Sequence, residues 1–105
     1  MDTVTMPNMP EGWSDTKDAT EEIQNLCKMV KSHAEDLTDK KYGVFKAVKY
    51  REQIVVGVNY ILKVHIGRRK YIHLFVLQKL ECYGGKVMLL GVEEYRKNNH
   101  PLEPF

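Results

Sequence analysis

The sequence predicts a single α+β domain in which one long helix packs across an antiparallel sheet of four to five strands. Two patterns support this prediction. Apolar residues between positions 23 and 37 recur at helical spacing, whereas from position 44 onward apolar and polar residues alternate with the period of two that is typical of strands. The chain has 105 residues, which is enough for one modest hydrophobic core.

The predicted helix carries a stripe of apolar residues along one face, with charged residues mostly on the other. The stripe consists of Ile23, Leu26, Cys27, Val30, Ala34 and Leu37. Asp18 and Glu21 have the spacing of a capping box, in which the first residue accepts a hydrogen bond at the N-cap and the second reaches back. We therefore expect the helix to begin next to Asp18.

The predicted sheet is a meander, because its strands are joined by short connections that contain glycine or a run of basic residues. The strands are expected over residues 44–52, 58–66, 71–77 and 87–92. One face of these strands is expected to pack on the helix. The other is expected to face solvent, with His65, His73 and Phe75 on it.

Composition limits the possible function. The chain is 43% hydrophobic and contains no run of 18 apolar residues, so we expect no membrane span. Residues 1–13 lack the basic and apolar regions of a secretory signal, and we expect a cytoplasmic protein with a flexible lead over residues 1–9. Cys27 is expected to be half-buried and Cys82 to be an accessible loop thiol, without a disulfide.

Residues 53–57, with the sequence QIVVG, fall between the first two predicted strands. Gly57 can adopt the positive φ that a tight hairpin needs, so these residues are predicted to form an exposed tip. A soluble protein seldom exposes three adjacent aliphatic side chains without a partner, and the tip therefore indicates a binding surface. A purely structural hairpin tip remains an alternative at this stage.

The tip also fits the Gln-x-Val-x-Gly motif of the cystatins, and the whole chain resembles the stefin (type 1) branch of that family. Residues 41–67 are similar to the stefin strand–loop–strand unit, and residues 70–80 to its third strand. ATEEIQNLCKMVK resembles the stefin helix, and HPLEPF resembles the family's C-terminus. The resemblance runs from about Met9 to Phe105, and it implies one stefin domain over residues 10–105.

The resemblance implies a function: reversible, competitive and tight-binding inhibition of papain-like cysteine peptidases of the cathepsin type, with no catalysis and no cofactor. Stefins occlude the peptidase cleft with a wedge made of an N-terminal trunk and two hairpin loops. The matching peptidase-contact residues here are Pro10, Glu11 and Gly12 for the trunk, Gln53, Ile54, Val55, Val56 and Gly57 for the first loop, and Leu80 and Glu81 for the second loop.

Two of these positions depart from the stefin pattern. Glu11 replaces the trunk glycine that lets the chain pass close to the cleft, and Glu81 replaces the second-loop proline. We expect both changes to weaken inhibition of peptidases with narrow or acidic clefts. The first loop would then provide an unusually large share of the contact.

Other functions receive less support from the sequence. The principal alternative is a stefin fold that acts as a self-associating, domain-swapping protein or as a scaffold, with weak or lost inhibition. Val55, Val56 and Val58 favour an extended chain over a turn, so a monomer that can form a domain-swapped dimer is expected. The basic, aromatic strand half permits a nucleic-acid-binding sheet, but no RNP-like motif is present and we expect no such partner. No spacing typical of a metal site occurs, and Cys27 and His33 lie on different faces of the helix, so we expect neither a metal nor catalysis.

Overall fold

The computed structural model describes residues 12–105. The predicted flexible lead and the trunk residues Pro10 and Glu11 lie outside this range. In chain order the elements are β1 (Lys17–Asp18), α1 (Glu21–Met29), α2 (Lys31–Thr38), β2 (Lys46–Val55), β3 (Gly57–Gly67), β4 (Lys70–Gln78) and β5 (Val87–Arg96). The five strands form one antiparallel sheet in the order β1-β2-β3-β4-β5. The predicted α+β class is therefore confirmed.

The prediction of one long helix needs correction, because the helix is interrupted at Val30. Val30 has φ −104° and ψ 2°, outside helical values, and separates α1 from α2. Five of the six stripe residues are buried, but Leu37 is exposed in the last turn of α2. The non-helical torsions of Val30 mean that the register of the stripe is not carried unchanged into α2.

The predicted N-cap is also wrong. Helix α1 begins at Glu21, and its N-cap is Thr20, whose Oγ1 accepts a hydrogen bond of 3.2 Å from the amide of Ile23. Asp18 instead lies in β1, where it forms an ion pair with Lys49 of β2. The Lys49 amine lowers the pKa of the Asp18 carboxyl. Asp and Thr are both favourable N-cap residues, and Asp18 is held in the pairing of β1 with β2, which leaves the cap to Thr20.

Both faces of the sheet contribute to the core, although the sequence predicts only one. On the helix side, α1 and Ala34 of α2 pack on buried residues of β2, β3 and β4 such as Leu62 and Leu74. On the other side, Trp13 and Leu102 cover Ile61 and Phe75. Phe75 is consequently half-buried and not exposed to solvent, because segments from both ends of the described chain fold over that face.

His73 also differs from the prediction. Its side chain on β4 is almost fully buried, and neither ring nitrogen has a hydrogen-bond partner among the described residues. The nearest carboxylate is that of Glu93 on β5, whose Oε1 lies 3.6 Å from Nδ1. Burial, and secondly the charges of Lys63, Arg96 and His100, lower the pKa of His73 from 6.5 to about 4. The folded protein therefore holds this imidazole neutral.

This burial predicts acid sensitivity. In the unfolded chain His73 takes up a proton at a higher pH than in the folded protein, so acid favours unfolding. The contribution of the neutral, buried His73 to the free energy of unfolding is fully present above pH 6.5 and is lost as the pH falls to about 4. The loss is on the order of 3 kcal/mol of unfolding free energy. Urea denaturation of the unaltered chain and of His73→Gln at pH 7 and pH 4 measures it, with exposed His33→Gln as control. Equal acid losses in all three proteins would contradict the assignment.

The two cysteines are both free thiols. Cys82 is exposed, as predicted, whereas Cys27 is completely buried in the helix-side core and not half-buried. Burial raises the pKa of the Cys27 thiol to about 12, so it remains protonated at neutral pH. In the described part of the chain, no helix is long and apolar enough to span a membrane.

Candidate functional site

Residues 53–57, hereafter the first loop, form the turn between β2 and β3. The strands pair up to the partners Val55 and Gly57, which leaves Val56 alone at the tip. The exposed fractions of Ile54, Val55 and Val56 are 73%, 44% and 69%. The predicted exposed tip is confirmed, and it presents an aliphatic surface to solvent.

The base of the first loop is fixed by polar contacts and by a close backbone approach. The side-chain amide of Asn59 donates a hydrogen bond of 2.9 Å to Oε1 of Gln53, across the hairpin. Gly57 has a φ of 110°, and a Cβ at this position would lie 2.5 Å from the carbonyl oxygen of Gln78. Only glycine fits here, because the turn of the first loop packs directly against the end of β4.

The connection between β4 and β5, residues 79–86, is hereafter the second loop. Lys79 donates its amide to the carbonyl of Lys86 at 2.8 Å, which closes the loop, and a 3-10 turn over Glu81–Tyr83 lies inside it. Leu80 is 44% exposed and precedes this turn in an extended conformation. Since a Cβ at Gly57 would meet the backbone of Gln78 and Lys79, the two loops lie side by side.

Glu81, which replaces the proline of the stefin pattern, is exposed in the second loop. Its carboxylate folds back over the turn, since a Cβ at Gly85 would lie 2.8 Å from its Oε2. The backbone of the loop is held by a hydrogen bond of 2.8 Å from the amide of Gly85 to the carbonyl of Leu80. The loop is therefore closed by hydrogen bonds in the absence of the proline.

The described part of the N-terminal segment lies beside the first loop. Trp13 forms an isolated antiparallel bridge with Gln53, and the amide of Ser14 donates to the carbonyl of Glu52 at 2.8 Å. The hydroxyl of Ser14 accepts a bond of 3.0 Å from the amide of Glu52. Gly12 is exposed next to this bridge. The last trunk residue is thus located at the same edge of the sheet as the two loops.

The sequence interpretation missed the residues that hold the trunk. Trp13 is only 2% exposed, and together with Ser14 it joins the N-terminal segment to the end of β2. The one available signal was that Trp13 is the only tryptophan in the chain and directly follows the trunk glycine. Hereafter the term wedge edge refers to Gly12, the first loop and the second loop.

Charged residues lie beside the wedge edge and in its second loop. Lys17 of β1 donates a hydrogen bond of 2.9 Å to Glu52, which precedes the first loop, and this bond raises the pKa of the lysine. The projecting side chains of the first loop are aliphatic, and the second loop carries Lys79, Glu81 and Lys86. The wedge edge therefore presents an apolar centre flanked by charged residues, as binding surfaces commonly do.

The arrangement provides no constellation for catalysis or metal binding in the described residues. Cys27 is buried with a protonated thiol, whereas His33 is exposed, so the structure does not bring the pair together. Within residues 12–105, no three His, Cys, Asp or Glu side chains are grouped as metal ligands. Tyr42 and Tyr50 are buried in the helix-side core, where they cannot stack on nucleic-acid bases.

Comparison with known proteins agrees with this geometry. Residues 12–99 match the family model described as the cystatin domain. Stefin-C of Bos taurus is 47% identical over 99 residues, which cover 94% of this chain and 97% of the relative. Cystatin-B of Oplegnathus fasciatus is 43% identical over 100 residues, covering 95% and 100% of the two chains. Cystatin-A of Homo sapiens is 37% identical over 97 residues, which cover 92% of this chain and 99% of the relative.

Proposed function

We infer the function of this chain from one premise, namely that it belongs to the cystatin family and, within it, to the type 1 cystatins or stefins. Members of this family are inhibitors of cysteine peptidases and not enzymes, and this chain is not an enzyme. We propose that it inhibits papain-like cysteine peptidases of the cathepsin type reversibly, competitively and tightly.

The proposal rests above all on the exposed aliphatic first loop. Ile54, Val55 and Val56 project from a turn whose base is held by Gly57 and by the bond between Asn59 and Gln53. A surface that is already ordered loses little conformational entropy when it binds. Apolar burial at such a tip then contributes directly to affinity.

The proposed mechanism is occlusion of the peptidase cleft. The first loop enters its centre, the second loop contacts one side through Leu80 and Glu81, and the trunk residues Pro10, Glu11 and Gly12 contact the other. The position of Gly12 beside the first loop supports this arrangement, while Pro10 and Glu11 lie outside the described residues. No chemical step is involved, because the wedge excludes substrate by volume alone.

Titration of active papain with the purified monomer tests the function. We expect residual peptidase activity to fall linearly to zero at one inhibitor per active site, and to recover after dilution with excess substrate. The expected recovery distinguishes reversible occlusion from covalent inactivation. A monomer that leaves papain fully active at a large molar excess would contradict the proposed function.

A domain-swapped dimer is the second proposal, and the geometry of the tip favours it. Val56 is the single residue between the last paired residue of β2 and the first of β3, so opening this turn would join the two strands into one. The swapped form would straighten the first loop and should not inhibit. Papain titrations of the monomer and dimer fractions separated by size exclusion test this, and an inhibitory dimer would contradict it.

A cytoplasmic location completes the proposal. The two cysteines support it, because both are free thiols and Cys82 is exposed. An exposed free thiol fits a reducing compartment better than an oxidising one. Blocking Cys82 with an alkylating reagent in intact cells, followed by mass spectrometry, would report whether it is reduced there.

A further inference from the structure

Segments from the two ends of the described chain meet on the face of the sheet opposite to the helices. Trp13, Ile61 and Leu102 form a buried cluster with Phe75 packed against it. The rings of Trp13 and Phe75 are edge-on with centroids 5.9 Å apart, and those of Phe75 and Phe105 are edge-on at 5.8 Å. Hereafter these five residues are the terminal cluster, in which Phe75 contacts aromatic rings from both ends.

Arg51 of β2 joins the same two segments by hydrogen bonds. Its Nε donates to the carbonyl of Ser14 and its Nη1 to the carbonyl of Leu102, each at 2.7 Å. Bonds from a guanidinium are charge-assisted and stronger than neutral ones. Arg51 therefore links Ser14, the residue after Trp13, to the C-terminal segment. Arg51 itself lies two positions before the first loop in the sequence.

The C-terminal segment is itself anchored on the sheet independently of the trunk. Lys63 of β3 is buried and its amine donates to the carbonyl of Asn98 and, at 2.7 Å, to that of His100. Burial lowers the pKa of Lys63, and these carbonyls compensate part of the lost hydration. The C-terminal segment is therefore held on the sheet by its own hydrogen bonds, and Trp13 packs against it.

Trp13 directly follows the last trunk residue, Gly12, and differs from it in burial. A Cβ at Gly12 would meet no heavy atom within 4 Å outside its chain neighbours, whereas the next residue, Trp13, is almost fully buried. Trp13 is consequently the point at which the trunk is attached to the wedge edge, through its bridge to Gln53. Removing part of the terminal cluster would loosen that attachment.

We propose that the C-terminal segment, acting through the terminal cluster and Arg51, positions the N-terminal trunk for peptidase binding, an inference that rests on the proposed inhibitor function. Leu102, Phe105 and Arg51 are positioning residues in this scheme, since they act through Trp13. An attached trunk loses less conformational freedom on binding than a free one, so the segment strengthens inhibition without touching the peptidase.

A cycle of variants tests the proposal. In the full chain, Leu102→Ala should raise the papain inhibition constant about tenfold, within the range of couplings between contacting residues. In a chain that lacks residues 1–12, the same substitution should have no further effect, because no trunk remains to be positioned. Leu89→Ala is the matched control, since Leu89 is buried in the helix-side core and its loss should leave inhibition unchanged at a temperature where both variants are folded.

Trp13 provides a second readout that needs no peptidase, because it is the only tryptophan in the chain. Its fluorescence emission should shift to longer wavelength, with stronger quenching by acrylamide, in Leu102→Ala and in Arg51→Met, but not in Leu89→Ala. Arg51→Met keeps an apolar stem and provides a test if Leu102→Ala does not fold. An unchanged emission spectrum in both variants would overturn the proposal.

The outcomes separate this proposal from the inhibitor function. If Leu102→Ala weakens inhibition equally with and without residues 1–12, the C-terminal segment contacts the peptidase directly and the proposal is wrong. If the unaltered chain does not inhibit at all, the proposed function is wrong, and the proposed strengthening of peptidase binding by the C-terminal segment is wrong with it. The emission of Trp13 then still decides whether the C-terminal segment holds the residue that follows the trunk.

Discussion

Replacing Ile54, Val55 and Val56 together by serine is expected to weaken papain inhibition by about 4 kcal/mol, roughly a thousandfold in the inhibition constant. These side chains form the apolar surface of the first loop, and serine removes it without adding bulk. Folding should be little affected, because the three side chains are largely exposed and contribute little to the core. Inhibition constants and urea denaturation of the same preparation measure both quantities.

The control is a second triple variant at equally exposed apolar positions. Met29, Leu37 and Leu90 are 68%, 56% and 51% exposed, and none belongs to the wedge edge. Serine at these three positions should leave the inhibition constant unchanged. An unaltered inhibition constant in the first-loop variant would show that these residues do not carry the contact. Equal weakening in both variants would show that loss of apolar surface anywhere has this effect.

Gly57→Ala is expected to lower the free energy of unfolding by about 3 kcal/mol and to weaken inhibition as well. A Cβ there would lie 2.5 Å from the carbonyl oxygen of Gln78, so either the first loop or the second loop must move. The positive φ adds a conformational cost of roughly 1–2 kcal/mol. Urea denaturation measures the free energy of unfolding, and papain titration measures the weaker inhibition that displaced loops should cause.

Gly67→Ala is the matched control for this prediction. Gly67 ends β3 at the opposite hairpin with a φ of 122°, but a Cβ there would meet no heavy atom within 4 Å outside its chain neighbours. Gly67→Ala should therefore show only the conformational cost, about 1 kcal/mol, and unchanged inhibition. Equal stability losses in the two variants would show that the approach to Gln78 has no effect.

The sequence predicts elements well where a local pattern is strong and unopposed. The strands β2 to β5 are present, and all four continue past their predicted C-terminal ends, because hydrogen bonding to a neighbour continues where the alternation fades. Strand β2 begins at Lys46, two residues later than predicted. The N-cap was misplaced, since Asp18 and Thr20 are both suitable caps. Pairing of β1 with β2 involves residues far apart in sequence, and no local pattern records it.

The prediction that Phe75 faces solvent is wrong for a related reason. Alternation in a strand shows that the two faces differ, but it does not show what covers the second face. Here Trp13 and Leu102, which lie 89 positions apart in sequence, meet over Ile61. Neither terminal segment has a periodic pattern of its own.

For this protein, the sequence by itself determined the α+β class, the family and the exposed QIVVG tip. These follow from periodicity, from a glycine that permits a tight turn and from an ordered set of motifs, which are all local in the chain. Only the tertiary structure decided that Gly57 joins the two loops and that Trp13 is held beside Gln53. Such contacts depend on the packing of distant segments, because burial and hydrogen bonding are satisfied in three dimensions and not along the chain.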